Sequence, residues 1–152
     1  MMHAFPERLS RRLVDTLYVE AMLLADEARS YFDVGGRVER DRLAPIDRVG
    51  FSCESLRVTT RLMHVIAWLL VRKAVAAGEI SATQGTAPNR RLGRGPGSDA
   101  DMAECLPATA QQLINATAEL YERVQRLDAE LGRPEIAESP ARSLMQRLEG
   151  AF

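Results

Sequence analysis

Residues 62–71 read LMHVIAWLLV, and His64 is the only polar residue among them. The run is apolar around most of a helix circumference, so it predicts the centre of a helix that is covered on more than one side. Ten helical residues rise about 15 Å, whereas the hydrocarbon core of a membrane is about 30 Å thick. Because Arg61 and Arg72 also bracket the run, we expect protein rather than lipid to cover it.

The helix that contains this run is predicted over residues 50–77, ending before Gly78. At 100° per residue its apolar positions form two stripes, and a narrow polar sector remains for water. The first stripe contains Phe51, Val58, Leu62, Val65, Leu69 and Ala76, the second contains Leu56, Met63, Ala67, Val71 and Ala74, and the polar sector contains Glu54, Arg57, Arg61 and Arg72. Trp68 lies at the edge of the polar sector, where Arg72 can stack on it.

Two amphipathic helices flank this one. Residues 7–32 repeat apolar side chains at steps of three and four, with Pro6 before them and Gly35 after them. Residues 107–131, together with Leu106 just before them, carry a heptad seam of Leu106, Ala110, Leu113, Thr117, Leu120, Val124, Leu127 and Leu131. Three helices of similar length predict an all-α, antiparallel three-helix bundle in up-down-up order.

The second stripe of the middle helix is surplus to such a bundle, because each helix of a three-helix bundle buries one broad face. A two-fold homodimer through the middle helix would cover the surplus without another partner. The candidate interface residues are Leu56, Thr60, Met63, His64, Ala67, Val71 and Ala74.

Two segments lie outside the three helices. Residues 78–105 are rich in Gly, Pro, Ser and Asp and predict a long loop, made flexible by Gly93, Gly95 and Gly97. Residues 133–152 predict a flexible tail with a possible short amphipathic helix, separate from a bundle domain of residues 1–132. The candidate partner-binding residues in the loop and the tail are Arg90, Arg91, Arg94, Leu144, Met145, Leu148 and Phe152.

Composition narrows the functional classes. The 152 residues suffice for one core, and a net charge of −1 gives no overall field toward nucleic acid or an anionic membrane. The first residues contain no apolar stretch of signal-peptide length, so we expect a cytoplasmic protein. In that reducing compartment Cys53 and Cys105 are expected to be buried thiols.

The sequence offers little for catalysis. His3 and His64 are its two histidines, and Cys53 lies about 16 Å from His64 along a helix, too far to share a metal ion. No Glu-x-x-His pair is present, which argues against a di-iron site in the bundle. We therefore predict a protein without enzymatic activity, cofactor or metal.

Residues 54–80, ESLRVTTRLMHVIAWLLVRKAVAAGEI, resemble the alphaproteobacterial family of the regulator of CtrA degradation, RcdA. The matching positions are Glu54, Ser55, Arg57, Thr59, Thr60, Arg61, Leu62, Met63, Trp68, Leu69 and Leu70, whereas His64 stands where the family usually has glutamine. The likeness extends more weakly from Leu9 to Leu131 and to the tail. It implies a three-helix-bundle homodimer with a flexible C-terminal tail.

The function implied by this resemblance is that of a non-enzymatic adaptor, which helps the ClpXP protease degrade the cell-cycle regulator CtrA. Its partners would be protease-associated proteins and a client transcription regulator.

Two other classes of function remain open. A small-ligand-binding bundle would need a pocket near His64, Arg57 and Arg61. A nucleotide or nucleic-acid contact would use Arg90, Arg91 and Arg94, but the chain has neither helix-turn-helix spacing nor a basic domain to favour it.

Overall fold

The computed structural model describes residues 4–132 and 140–151, and regular structure within these ranges is entirely helical. The α-helices are α1 (Ala4–Ser30), α2 (Arg37–Asp41), α3 (Pro45–Ala76), α4 (Ala82–Gly85), α5 (Ala100–Glu104), α6 (Ala108–Leu131) and α7 (Pro140–Ala151). A π-helical turn at Tyr31–Gly35 and a 3-10 turn at Pro88–Arg90 complete the set. None of these described helices is long and apolar enough to cross a membrane.

Helices α1, α3 and α6 pack against one another around a single hydrophobic core. Most positions of the stripes predicted to face that core are buried, whereas Ala76 and Leu131 at the helix ends are exposed. The all-helical bundle is confirmed. Its most deeply buried apolar side chains are Ala21 on α1, Phe51, Val58, Val65 and Leu69 on α3, and Ala110, Leu120 and Val124 on α6.

Helix α3 begins five residues earlier than predicted, at Pro45, which takes a first-turn position where its missing N–H costs nothing. Its end agrees with the prediction. Gly78 adopts φ +76°, and backbone hydrogen bonds from Gly78 N to Val75 O (3.1 Å) and from Glu79 N to Ala74 O (3.0 Å) close a Schellman motif.

The direction of α6 differs from the prediction. Helix α1 is antiparallel to α3, because Arg11 near its start donates to the carbonyl of Ala76 at the end of α3 (2.9 Å). Helix α6 is parallel to α3, because the hydrogen bonds between them join Arg61 to Thr117 and, further along both helices, Trp68 to Asp128. The up-down-up order is therefore wrong. The long connection over residues 77–107 lets the chain return to the other end of the bundle before α6 begins.

This connection, which we call the crossover segment, lies along the groove between α3 and α6. Its glycines bring backbone close to helix side chains, because a Cβ built on Gly93 would overlap the ring of His64 and one on Gly95 would lie 2.8 Å from Tyr121 Cε2. Among the described residues other than its chain neighbours, none has an atom within 4 Å of a Cβ built on Gly97. Gly93 and Gly95 are therefore packing positions, a role that the prediction of a flexible glycine loop did not include.

Candidate interaction surfaces

An exposed apolar stripe runs along the outer side of α3. Its members are spaced by alternating steps of three and four and consist of Ile46, Val49, Cys53, Leu56, Thr60, Met63, Ala67 and Leu70, of which Thr60 is polar and partly buried. We call this set the α3 seam. Ile46, Leu56 and Met63 are 66%, 69% and 65% exposed. Such heptad spacing is the pattern by which one helix packs against another.

The predicted interface residues divide between the α3 seam and its flanks. Leu56, Thr60, Met63 and Ala67 belong to the α3 seam. His64, Val71 and Ala74 lie beside it and are partly buried within the single chain. His64 is covered by the crossover segment at Gly93.

The sequence also contained a signal for the first part of the α3 seam that the prediction did not use. Proline is favoured in the first turn of a helix, so Pro45 marks a helix start that adds Ile46 and Val49 to the heptad pattern.

Three of the four residues in the polar sector of α3 are buried, which corrects the expectation that the sector faces water, whereas Arg57 is partly exposed. Glu54 is fully buried, and Arg61 and Arg72 are 2% and 9% exposed. The cause is the crossover segment, which lies over this sector and brings polar partners from far along the chain.

Glu54 and Arg61 fix the crossover segment through Ser98. The Ser98 hydroxyl donates to Glu54 Oε2 (2.6 Å) and accepts from Arg61 Nη1 (2.9 Å), which also donates to the carbonyl of Pro96 (3.0 Å). On the other side of Glu54, Arg57 Nη1 donates to Oε1 at 2.7 Å. We call Glu54, Arg57, Arg61 and Ser98 the buried ion cluster.

Arg61 also joins α3 to α6. Its Nη2 donates to the Thr117 hydroxyl (3.0 Å) and to the carbonyl of Ile114 (3.3 Å). Burial lowers the pKa of Arg61 from its ordinary value, although the charge of Glu54 partly opposes this effect. Because both terminal nitrogens already donate to the protein, the guanidinium is suited to holding three segments together rather than to binding a ligand.

Asp128 on α6 anchors the crossover segment at a second point. Its Oδ1 accepts from Arg91 Nε (2.8 Å), Trp68 Nε1 (2.9 Å) and Leu92 N (3.3 Å). Burial alone would raise the pKa of Asp128, but these hydrogen bonds outweigh it and hold the pKa below its ordinary value. Trp68 is buried, and Arg72 stacks over its ring at 5.4 Å, as predicted.

The predicted partner-binding residues have different surroundings. In the arginine trio, Arg91 is paired with Asp128, whereas Arg90 and Arg94 are exposed. The apolar candidates of α7 are exposed by 58% at Leu144, 61% at Met145 and 51% at Leu148. Phe152 lies outside the described residues.

Both cysteines are exposed, contrary to the prediction of buried thiols. Cys53 lies on the α3 seam and Cys105 directly follows α5. Thiols were expected to be buried because they behave as small apolar groups, but these two positions fall outside the faces that the core covers. In the described part of the chain, no three His, Cys, Asp or Glu residues are grouped so that they could hold a metal ion.

Comparison with known families gives this arrangement a context. The model of a family described as "Protein of unknown function (DUF1465)" matches residues 5–152. The chain belongs to the DUF1465 family. Among solved structures, RcdA from Caulobacter crescentus CB15 is similar to it at 34% sequence identity and a TM-score of 0.65, over 78% of this chain and 90% of the RcdA chain. No match was found among curated protein sequences.

The resemblance to RcdA predicted from residues 54–80 is confirmed. In this DUF1465 protein, residues 54–80 contribute to both the buried ion cluster and the α3 seam. Glu54, Arg57 and Arg61 belong to the buried ion cluster, while Thr60 and Met63 lie on the α3 seam. One helix therefore carries both the contacts that hold the crossover segment and the exposed apolar surface.

Proposed function

We propose that this protein is a non-enzymatic adaptor in regulated proteolysis, which helps the ClpXP protease degrade a client transcription regulator of the CtrA type. The likeness to RcdA supports the role. The observation that carries the proposal is the α3 seam, which leaves apolar residues exposed along a helix of 32 residues. Exposed apolar surface on this scale is typical of a protein that binds other polypeptides.

The adaptor would be a homodimer through α3. A two-fold axis places the same surface of both copies in contact, so the α3 seam would meet itself and be covered without a further partner. Leu56, Met63 and Ala67 would occupy the interface, with Thr60 among them. His64, Val71 and Ala74 would contribute at its edge.

Partner capture would involve the parts of the chain outside the bundle. Leu144, Met145 and Leu148 form an apolar group on α7, and Arg90 and Arg94 add positive charge on the crossover segment. An amphipathic helix of this kind can bind a groove on another protein. Holding the client and a protease-bound factor together would raise their effective concentration.

Light scattering after size-exclusion chromatography tests the dimer. We expect the wild-type chain to have twice the monomer mass at micromolar concentration, and Leu56→Asp to have the monomer mass. Leu23→Asp is the matched control, because Leu23 is a similarly exposed leucine (61%) on α1, outside the α3 seam. A monomeric wild type, or equal effects of both substitutions, would refute a dimer through α3.

A reconstituted degradation reaction tests the adaptor role. It contains ClpXP, its accessory factors and a CtrA-type client, with and without the wild-type chain. We expect the chain to accelerate client loss and the double variant Leu144→Asp, Leu148→Asp to lose that acceleration while keeping its helical content. No acceleration by the wild-type chain would overturn the proposed function, and full acceleration by the double variant would exclude α7 from it.

A further inference from the structure

A large open groove lies at the end of the bundle where α1 begins and α3 and α6 end. Its volume is about 960 Å³, and its apolar walls include Leu13 on α1, Val75 on α3, and Leu127 and Leu131 on α6. Leu13 and Leu131 are 37% and 39% exposed. We call this cavity the end groove. It is separate from the buried ion cluster and the α3 seam.

Helix α7 has an uncovered apolar group of its own. Leu148 follows Leu144 by four residues and Met145 by three, which places all three on one side of a helix, and all three are more than half exposed. The helix has 12 residues and is about 18 Å long. A helix this short is marginal in water by itself, so its stability requires a surface that buries its apolar side.

The tether between the two elements begins at the end groove. Leu131, the last residue of α6, lines the groove, and residues 133–139 connect α6 to α7. Pro140, the first residue of α7, is nine residues after Leu131. Nine extended residues span at most about 32 Å, so α7 starts within that distance of the groove wall. A short tether gives an effective concentration on the order of millimolar. The end groove should therefore bind α7 of the same chain in preference to a free helix at micromolar concentration.

We propose that α7 docks in the end groove of its own chain, with Leu144 and Leu148 facing Leu13 and Leu131. This docking goes beyond the proposed function, because it requires neither a protease nor a client. If α7 also captures a partner, which rests on the proposed function, docking would hide the same apolar side chains until the partner displaces them.

Amide hydrogen exchange of the purified full-length chain, followed by mass spectrometry, tests the docking. We expect amides of α7 to exchange about tenfold more slowly in the wild type than in Leu13→Asp, which adds a charge to the groove wall. Leu23→Asp, the same change on the same helix outside the groove, should keep the wild-type protection. Leu148→Asp changes α7 alone and should release it while the exchange of α3 and α6 amides stays unchanged.

Three results would overturn the proposal. The first is exchange of wild-type α7 amides as fast as that of an unstructured peptide. The second is protection that survives in both Leu13→Asp and Leu148→Asp, which would place α7 elsewhere. The third is protection that falls on tenfold dilution, which would assign the groove to α7 of a second copy. Because no protease or client is present, none of these results depends on the adaptor role.

Discussion

Replacing Arg61 by methionine removes a guanidinium that is 2% exposed and donates four hydrogen bonds to α6 and the crossover segment. Removing one member of a buried ionic group costs about 3–5 kcal/mol, because its partners lose their compensation. Glu54 keeps its hydrogen bonds from Arg57 and Ser98. We therefore expect the free energy of unfolding to fall by about 3 kcal/mol, near the lower limit of that range.

The matched control is Arg57→Met. Arg57 donates to the same carboxylate, but its side chain is 36% exposed, so we expect a loss of about 1 kcal/mol or less. Urea unfolding followed by circular dichroism measures both losses. Because Arg61 also holds Pro96 and Ser98, hydrogen exchange across residues 93–99 should accelerate in Arg61→Met more than in Arg57→Met.

Equal losses of stability in the two variants would refute this reasoning, since burial would then not distinguish the two arginines. Unchanged exchange across residues 93–99 in Arg61→Met would show that the cluster does not hold the crossover segment in place.

Four further substitutions test the packing of the crossover segment and the end of α3. Gly93→Ala should lower the unfolding free energy by about 1–3 kcal/mol in urea titration, and Gly97→Ala should have almost no effect, because only Gly93 contacts a side chain. Asp128→Asn should lower the free energy of unfolding at neutral pH. The native pKa of Asp128 lies below its unfolded value of about 3.9, so the difference in unfolding free energy between wild type and variant should shrink as the pH falls below about 4. Gly78→Ala should cost about 1 kcal/mol in thermal unfolding, because φ is +76° there, and an unchanged melting temperature would contradict this.

Periodicity carried most of the fold prediction. The heptad of α6 gave the correct core face through Ala110, Leu120 and Val124, because side chains three and four apart share one side of any helix. The same argument gave the exposed second stripe of α3 at Leu56 and Met63. Periodicity does not determine how the connection between α3 and α6 runs, so the direction of α6 was predicted wrongly.

The buried ion cluster could not be predicted from periodicity, because it depends on the path of the chain between helices. Glu54 and Arg61 have the sequence signature of a solvent-facing sector, and their burial follows from a segment that is remote in sequence. Ser98 lies 44 residues from Glu54, and Thr117 lies 56 residues from Arg61. No local pattern links these residues.

The sequence by itself determined that the chain forms three long helices and that α3 has more apolar surface than two neighbours cover. These are properties of residue spacing, which any helix reproduces. Only the tertiary structure decided that α6 runs parallel to α3, that Glu54 and Arg61 are buried, and that Cys53 is exposed. The reason is that burial depends on which segment crosses a face, and the crossover segment supplies hydrogen-bond partners that make buried charge tolerable.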